Sequence, residues 1–478
     1  MSQRIVVGPF NRVEGDLEVT LDFADGRVSA AYVNSPMFRG FEQILIGKHP
    51  LDALYFVPRI CGICSVAQSA AASTALAQAA GLTPCENGRI SAALTLAIEN
   101  IADHVSHFFL FFMPDFARTD YAGRAWYEDA HARFKAIDGS ARRDALPARA
   151  RLLESMGLLA GRWPHTGALQ PGGSTRPIDV SERLRVYGVL RQFRTFLESS
   201  LFGDALEVVA ALDSVDALQT WADAAPRGDF GRFIRIANDL DLWRLGRATD
   251  RYLSYGAYAL PEGVLYPAGV WHGAAQALRL EAITEDHSHA WMSGDSKHPR
   301  DGVTVPQPDK PGAYSWCKAP RLDREVVEVG ALARQVVAGH GLARDMIKRE
   351  GGSVAARVVA RLLEIARTLP EMERWAMRLQ PDQPFCSEYV VPRDGDGVGL
   401  VEAARGALGH WVSVRRGLIS RYQIIAPTTW NFSPRDADGV PGALEQALAG
   451  VAAGDRRAPV AIQHIVRSFD PCMVCTVH

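Results

Sequence analysis

The chain has 478 residues, 47% apolar and 22% charged, with a formal charge of −2 at pH 7. That balance excludes a disordered chain and allows a large buried core. Near-neutrality and the absence of any Lys/Arg-rich run exclude nucleic acid or an anionic membrane as the main partner, so a partner is expected to be met through shape. The opening residues lack the charged-then-apolar pattern of a secretory signal, and no window has the apolar length of a membrane span. Seven cysteines, odd and few for this length, argue against a disulfide framework and for thiols kept reduced.

The first predicted element, at about 1–35, is a small antiparallel β unit: residues 5–7, 17–21 and 28–33 alternate in strand fashion, and Asp25-Gly26 supplies a hairpin turn. Beyond Arg39 the texture turns helical. Residues 61–80 are rich in alanine and stop at Gly81 with Pro84 beyond, and 91–112 carry apolar residues at helical spacing. Long helices are also predicted at 147–159, 180–212 and 326–379, the last broken at Gly351-Gly352 and again near Pro370. Residues 255–321, dense in Gly, Pro, His and Trp, are predicted to be ordered loops, because aromatic side chains need something to pack against. A second small sheet is expected at about 387–426, with strands at 389–391, 399–401, 410–414 and 418–425 and a turn at Arg415-Arg416-Gly417. The predicted fold class is mainly α with small antiparallel β elements around a bundle of long helices. No stretch reads as a linker, and 1–478 is expected to form one unit.

Two CxxC units stand at opposite ends of the chain, Cys61-Gly62-Ile63-Cys64 and Cys472-Met473-Val474-Cys475. If each opens a helix, its two sulfurs share one face, and the helix N-terminus favours the thiolate that metal binding requires. Asp470-Pro471 reads as a cap and first turn for the second pair, with His478 continuing the face of Cys475. Spacing alone allows a structural zinc held by four sulfurs, or a dithiol redox pair. Against zinc, structural zinc modules are local, and a chain this large folds without a metal staple; against thiol exchange, one CxxC suffices and neither lies in a βαβ context. A soft-metal site joining the two ends remains. Cys85, Cys317 and Cys386 match no ligand position and are expected as small buried residues, and His287, His289 and His298 as loop histidines.

Arg59-Ile60-Cys61-Gly62-Ile63-Cys64 and Asp470-Pro471-Cys472-Met473-Val474-Cys475-Thr476-Val477-His478 resemble the two signature motifs of nickel-iron hydrogenase large subunits. Further matches follow in the family's order: Arg12-Val13-Glu14-Gly15, Arg39-Gly40-Phe41-Glu42, Asp103-His104, the run from Tyr314 to Arg321, the run from Glu402 to Gly406, and Pro427-Thr428-Thr429-Trp430-Asn431. The resemblance implies the hydrogenase large-subunit fold and heterolytic cleavage of H2. It makes Cys61 and Cys472 terminal nickel ligands, and Cys64 and Cys475 bridges from nickel to an iron that carries carbon monoxide and cyanide. Thiolates are soft donors suited to both metals. The cyanides leave excess negative charge in a dry interior, so a buried cation is needed; Arg405 resembles the family's arginine above the site, able to serve a cyanide nitrogen and Asp103 together. Thr428 would hydrogen-bond a cyanide, and Asp470 stands beside the ligands.

Cys472 is implied as the first proton acceptor and Glu14 as the group that carries the proton onward, which requires burial to raise its pKa towards neutrality. Glu42 and His478, with the main-chain oxygen of Ile424, resemble the ligands of a magnesium-type divalent ion near the chain end. No iron-sulfur relay is encoded, so a small subunit bearing iron-sulfur clusters is implied, in a heterodimer or a dimer of heterodimers.

Three positions depart from the family pattern. Gln68 stands where the first motif has histidine, Asp16 where the N-terminal motif has histidine, and Ala404 where proline precedes the arginine. Gln68 lies one helical turn after Cys64, beside a bridging sulfur. A glutamine there resembles the regulatory, hydrogen-sensing branch, whose members are cytoplasmic and signal to a histidine kinase; sensor-type members also resemble this chain in lacking an extension after the final histidine. The rival expectations are an uptake hydrogenase of energy metabolism, a zinc-stapled interaction subunit, and a metal-free quinone-site relative, the last disfavoured by retention of both cysteine pairs.

Overall fold

The computed structural model describes residues 3–224, 228–260, 262–452 and 459–478. It opens on three antiparallel strands, β1 (Gln3–Val7), β2 (Glu18–Ala24) and β3 (Arg27–Asn34), in the order β1-β2-β3. Asp25 and Gly26, both at positive φ, form the predicted two-residue turn. Met1 and Ser2, inside the expected β unit, lie outside the described residues.

The short helix α1 (Phe41–Ile44) precedes α2 (Ser65–Ala79) and α3 (Glu86–Ser106), and α3 runs on through a π-helical turn at His107–Phe112. Next come α4 (Ala141–Ala160) and α5 (Val180–Phe196), then a sheet of β4 (Tyr252–Leu260), β5 (Gly263–His272) and β6 (Ala274–Gln276). A pair, β7 (Ile283–Asp286) and β8 (Ala319–Leu322), is followed by α6 (Ala331–Val337) and α7 (Val354–Arg378). The last sheet holds β9 (Asp394–Ala403), β10 (Gly406–Arg415) and β11 (Leu418–Ile425) in sequence order. Beyond it come α8 (Pro427–Asn431), a short helix at Ala443–Leu448, α9 (Val460–Ser468) and α10 (Met473–Thr476).

Helix α7 is the axis of the core, packed against α3, α5, α6 and α9. Its interior Pro370 forfeits a backbone hydrogen bond, a cost of about 3 kcal/mol. Burying Ile365, Leu369, Met372 and Trp375, each contributing about 1.5–3 kcal/mol, outweighs that, so the predicted break at Pro370 does not occur. The break at Gly351-Gly352 does. Pro147 likewise lies inside α4, which starts six residues earlier than predicted. The predicted helix 180–212 is three pieces, because a π-helical turn at Leu197–Phe202 ends α5 before Leu206–Ala210 begins. Residues 255–321 are not all loop: they include β5, β6, β7 and parts of β4 and β8, and among their aromatic residues Tyr258 packs on Trp375, Tyr314 on Tyr32 and Trp316 on Phe38. Residues 389–391 are not a strand, and the last sheet starts at Asp394.

Close approach of α2 to β9 sets the site. A Cβ built on Gly397 would stand 1.9 Å from the Ala75 carbonyl oxygen, and one on Gly399 1.8 Å from that of Ala71. Alternate residues of the strand meet every fourth residue of the helix, and only glycine against alanine lets the two backbones touch. The start of α2, beside Cys64, is thereby fixed against the sheet.

Candidate metal centre

The second CxxC pair opens a helix as predicted, with Cys472 as the N-cap of α10, but the first does not. Cys61 lies in extended backbone (φ −151°, ψ 137°) after the 3-10 turn Val57–Ile60, and Cys64 is the residue before α2. The first amides of α2 go to Glu99 on α3, which accepts from Val66 N and Ala67 N, each at 2.9 Å, and from the Trp163 indole at 2.9 Å. Burial pushes the Glu99 carboxyl up to about 8 against these donors. Glu99 escaped the sequence reading; a glutamate inside an apolar helix was its only signal.

At the other end Cys472 pairs with Glu14 as a parallel bridge, Met473 N donating to Glu14 O at 2.7 Å, and α10 begins after it. Gly15, at φ +81°, lies so close to Val474 that a Cβ would stand 3.0 Å from its Cγ1. Asp470 does not cap α10. It sits at φ +56°, and its carboxylate is taken by Arg405.

The four sulfurs converge to within 4.8 Å of one another. Cys64 and Cys475 are 2.9 Å apart, Cys472 and Cys475 3.2 Å, and Cys61 and Cys472 3.4 Å, all beyond the roughly 2.05 Å of a disulfide. Each is buried. Hydrogen bonds from Cys472 and the other two thiols push Cys61 well below the usual thiol range, while Cys64 and Cys475 are pushed well above it. One thiolate among four sulfurs is what a dry pocket tolerates by itself. Four thiolates require added positive charge, and a pair of soft divalent metals fits that donor set.

Arg405 fills the two-residue turn between β9 and β10 and is 4% exposed. It reaches Asp103 at 3.0 Å and donates to Asp470 Oδ1 at 3.1 Å and, through Nε, to Asp470 O at 2.8 Å. Burial pushes the Asp103 carboxyl up to about 7 despite this guanidinium, whereas Asp470 is held low by it. The turn is anchored by Arg334, which the sequence reading missed: it donates to Ala403 O and Ala404 O, each at 3.0 Å, to Glu402 at 2.7 Å and to Glu364 at 2.8 Å. Burial alone would raise Glu364, but Arg334 and His104 bring it down to about 2. A depressed carboxyl contributes stability above its unfolded value of about 4.3, and that stability is lost as pH falls through the folded value. Glu364→Gln is therefore expected to destabilise the chain by about 3 kcal/mol at pH 7, with the difference vanishing towards pH 2, as urea unfolding at stepped pH will measure.

Glu14 is half-buried; burial, then the negative charge at Cys61, raises its carboxyl, and Arg405 and Arg39 oppose the rise. The Thr428 hydroxyl accepts from Cys472 N at 3.2 Å, and its hydrogen has no acceptor among the described residues. Gln68, one turn into α2, meets His410 at 2.8 Å.

Near the chain end, Glu42 Oε1 accepts from Ile424 N at 2.8 Å and lies 3.6 Å from His478 Nε2, which is 2.7 Å from Ile424 O. His478 Nδ1 faces Cys475 O at 3.0 Å. His478 Nε2, Ile424 O and a Glu42 carboxylate oxygen are thus gathered at one place as a donor set that fits a divalent cation. Lys318 Nζ, 3.5 Å from Glu42 and 2.9 Å from Glu285, adds a buried cation absent from the sequence reading. Cys317 is buried as expected, whereas Cys85 and Cys386 are only partly so, at the rim of the Phe385 loop. His287, His289 and His298 hydrogen-bond carbonyls of loop segments.

Four buried sulfurs drawn from both ends of one chain, beside a guanidinium shared by two carboxylates, make a donor set that could hold a soft metal. The family model described as nickel-dependent hydrogenase matches residues 39–138 and 142–478. The chain belongs to that family and is a hydrogenase large subunit with the nickel-iron centre the family implies. It is 29% identical to the periplasmic NiFeSe hydrogenase large subunit of Desulfomicrobium baculatum, over 99% of this chain and 95% of that one. It is 27% identical to the uptake hydrogenase large subunit of Bradyrhizobium diazoefficiens, over 100% and 95%. The solved Ni-Fe-Se hydrogenase of D. vulgaris Hildenborough, in the reduced state, superposes with a TM-score of 0.85 at 29% identity, covering all of both chains.

Proposed function

We propose that Cys61, Cys64, Cys472 and Cys475 hold the nickel and iron, and that the chain oxidises H2 as the catalytic half of a heterodimer with an iron-sulfur small subunit. When bound, the metal pair supplies the site at which H2 is cleaved and its electrons are taken up. The convergence of the four sulfurs within 4.8 Å carries the reading. Cys64 and Cys475, the closest pair of sulfurs, would be the two shared by both metals, and Cys61 and Cys472 would hold nickel alone. Arg405 and Thr428 would present N–H and O–H donors to the cyanide ligands of the iron, and Asp103 and Asp470 hold Arg405 in place. The Cys472 sulfur takes the proton first, and Glu14, tied to it by the backbone bridge, passes it on. Glu42, His478 and Ile424 O hold a divalent ion that ties the chain end to the last sheet.

The names of the matched relatives support oxidation of the uptake kind as the working role. Gln68 supports a second reading, hydrogen sensing with a histidine kinase, because a glutamine in place of the first motif's histidine resembles the sensing branch. One experiment addresses both: the coexpressed heterodimer is assayed for H2-dependent dye reduction and, beside candidate kinases, for H2-dependent phosphorylation. Dye reduction that needs both subunits supports the first reading, and its absence from metal-replete heterodimer overturns it. A kinase response abolished by Gln68→His favours sensing; a response unchanged by that substitution removes the reason for it.

A further inference from the structure

Gln68, His410 and Tyr422 form a line of side chains from α2 across β10 to β11, exposed by 1%, 0% and 1%. His410 Nε2 lies 2.8 Å from Gln68 Oε1, and His410 Nδ1 lies 2.8 Å from the Tyr422 phenol. The direction of these two hydrogen bonds follows from the far end. The phenol has no other hydrogen-bond partner among the described residues. Leaving its hydrogen without an acceptor costs about 1–3 kcal/mol, so Tyr422 donates to Nδ1. A neutral imidazole that accepts at Nδ1 carries its hydrogen on Nε2 and donates it to the Gln68 carbonyl. Burial, which pushes His410 down to about 3, keeps the ring neutral.

The carboxamide is then turned in one sense only, oxygen to the sheet and nitrogen away from it. The Gln68 amide nitrogen finds no acceptor among the described residues, although the residue is buried. Its backbone N–H bonds Cys64 O at 3.1 Å, one helical turn back, and helical side chains lean over the preceding turn. We propose that Tyr422 and His410 are positioning residues that lock the Gln68 amide, so that its two N–H donors face the metal centre and one is given to an electron-rich ligand there. Such a donor withdraws density from the ligand without adding charge, and it does not titrate. The inference rests on the cysteines as metal ligands, and it stands whichever role the heterodimer serves.

The test uses the assembled heterodimer, with nickel and iron contents matched between variants. Tyr422→Phe frees the ring to take either tautomer and the amide to turn. Infrared bands of the iron-bound diatomic ligands are expected to move to lower wavenumber in Tyr422→Phe and not to move when Tyr422→Phe is added to Gln68→Leu. A purely structural role for Tyr422 would shift the bands equally in both backgrounds, and that result, or no shift at all, overturns the lock. Histidine-selective nitrogen-15 NMR of the native heterodimer, with His410→Gln for assignment, gives a check that needs no viable Tyr422 variant. The Nε2–H tautomer is expected, and the Nδ1–H tautomer overturns the proposal.

Discussion

Cys475→Ser is expected to lower the nickel and iron content of the purified heterodimer, and its H2 oxidation, by more than about a hundredfold. Residues that only support a metal ligand already change affinity by about 10- to 100-fold, and Cys475 is proposed to serve both metals. A hydroxyl in its place is a harder donor that stays protonated in a dry pocket. It also loses the 2.9 Å approach to Cys64 and the 3.2 Å approach to Cys472. Fold loss is not the expected cause: the buried sulfur is replaced by a slightly smaller atom, so circular dichroism is expected to stay native while elemental analysis drops. Metal content close to native in Cys475→Ser would remove Cys475 from the ligand set.

Glu14→Gln is expected to do the reverse, slowing H2 oxidation by about 100-fold or more with metal content intact. Its backbone bridge to Cys472 survives the substitution, so the protein geometry around the sulfur is kept and only the carboxyl is lost. The pH profile separates a relay from a structural part. Burial and the charge at Cys61 raise the Glu14 carboxyl, so it stays protonated to a higher pH than a free glutamate. Passing protons outward needs the deprotonated form. Native activity should therefore fall on the acid side as pH drops through that raised value, and the residual activity of Glu14→Gln should lack that limb.

Much of the centre was legible in the sequence because its chemistry is carried by rare residue types at fixed spacing. Two CxxC pairs, an arginine before a glycine and a terminal histidine keep their meaning wherever the chain takes them. What the sequence hid was support that exists only after folding. Glu99 reaches the start of α2 from another helix, Arg334 grips the Arg405 turn from 70 residues away, and His410 meets Gln68 across a helix-sheet contact. None has a local pattern. Errors in the elements have the same origin: by local rule Pro147 reads as a helix start and Pro370 as a break, yet both lie inside helices that run on through them. The glycine-alanine contact of β9 and α2 was written in the sequence as Gly395, Gly397 and Gly399 opposite Ala71, Ala75 and Ala79, but only the fold shows that they face each other.

Diffraction from crystals of the heterodimer, recorded on both sides of the nickel and iron absorption edges, tests the joining of the two chain ends around one centre. One nickel peak and one iron peak among the sulfurs of Cys61, Cys64, Cys472 and Cys475 are predicted. A zinc signal alone among those sulfurs, or nickel bound elsewhere, would contradict it.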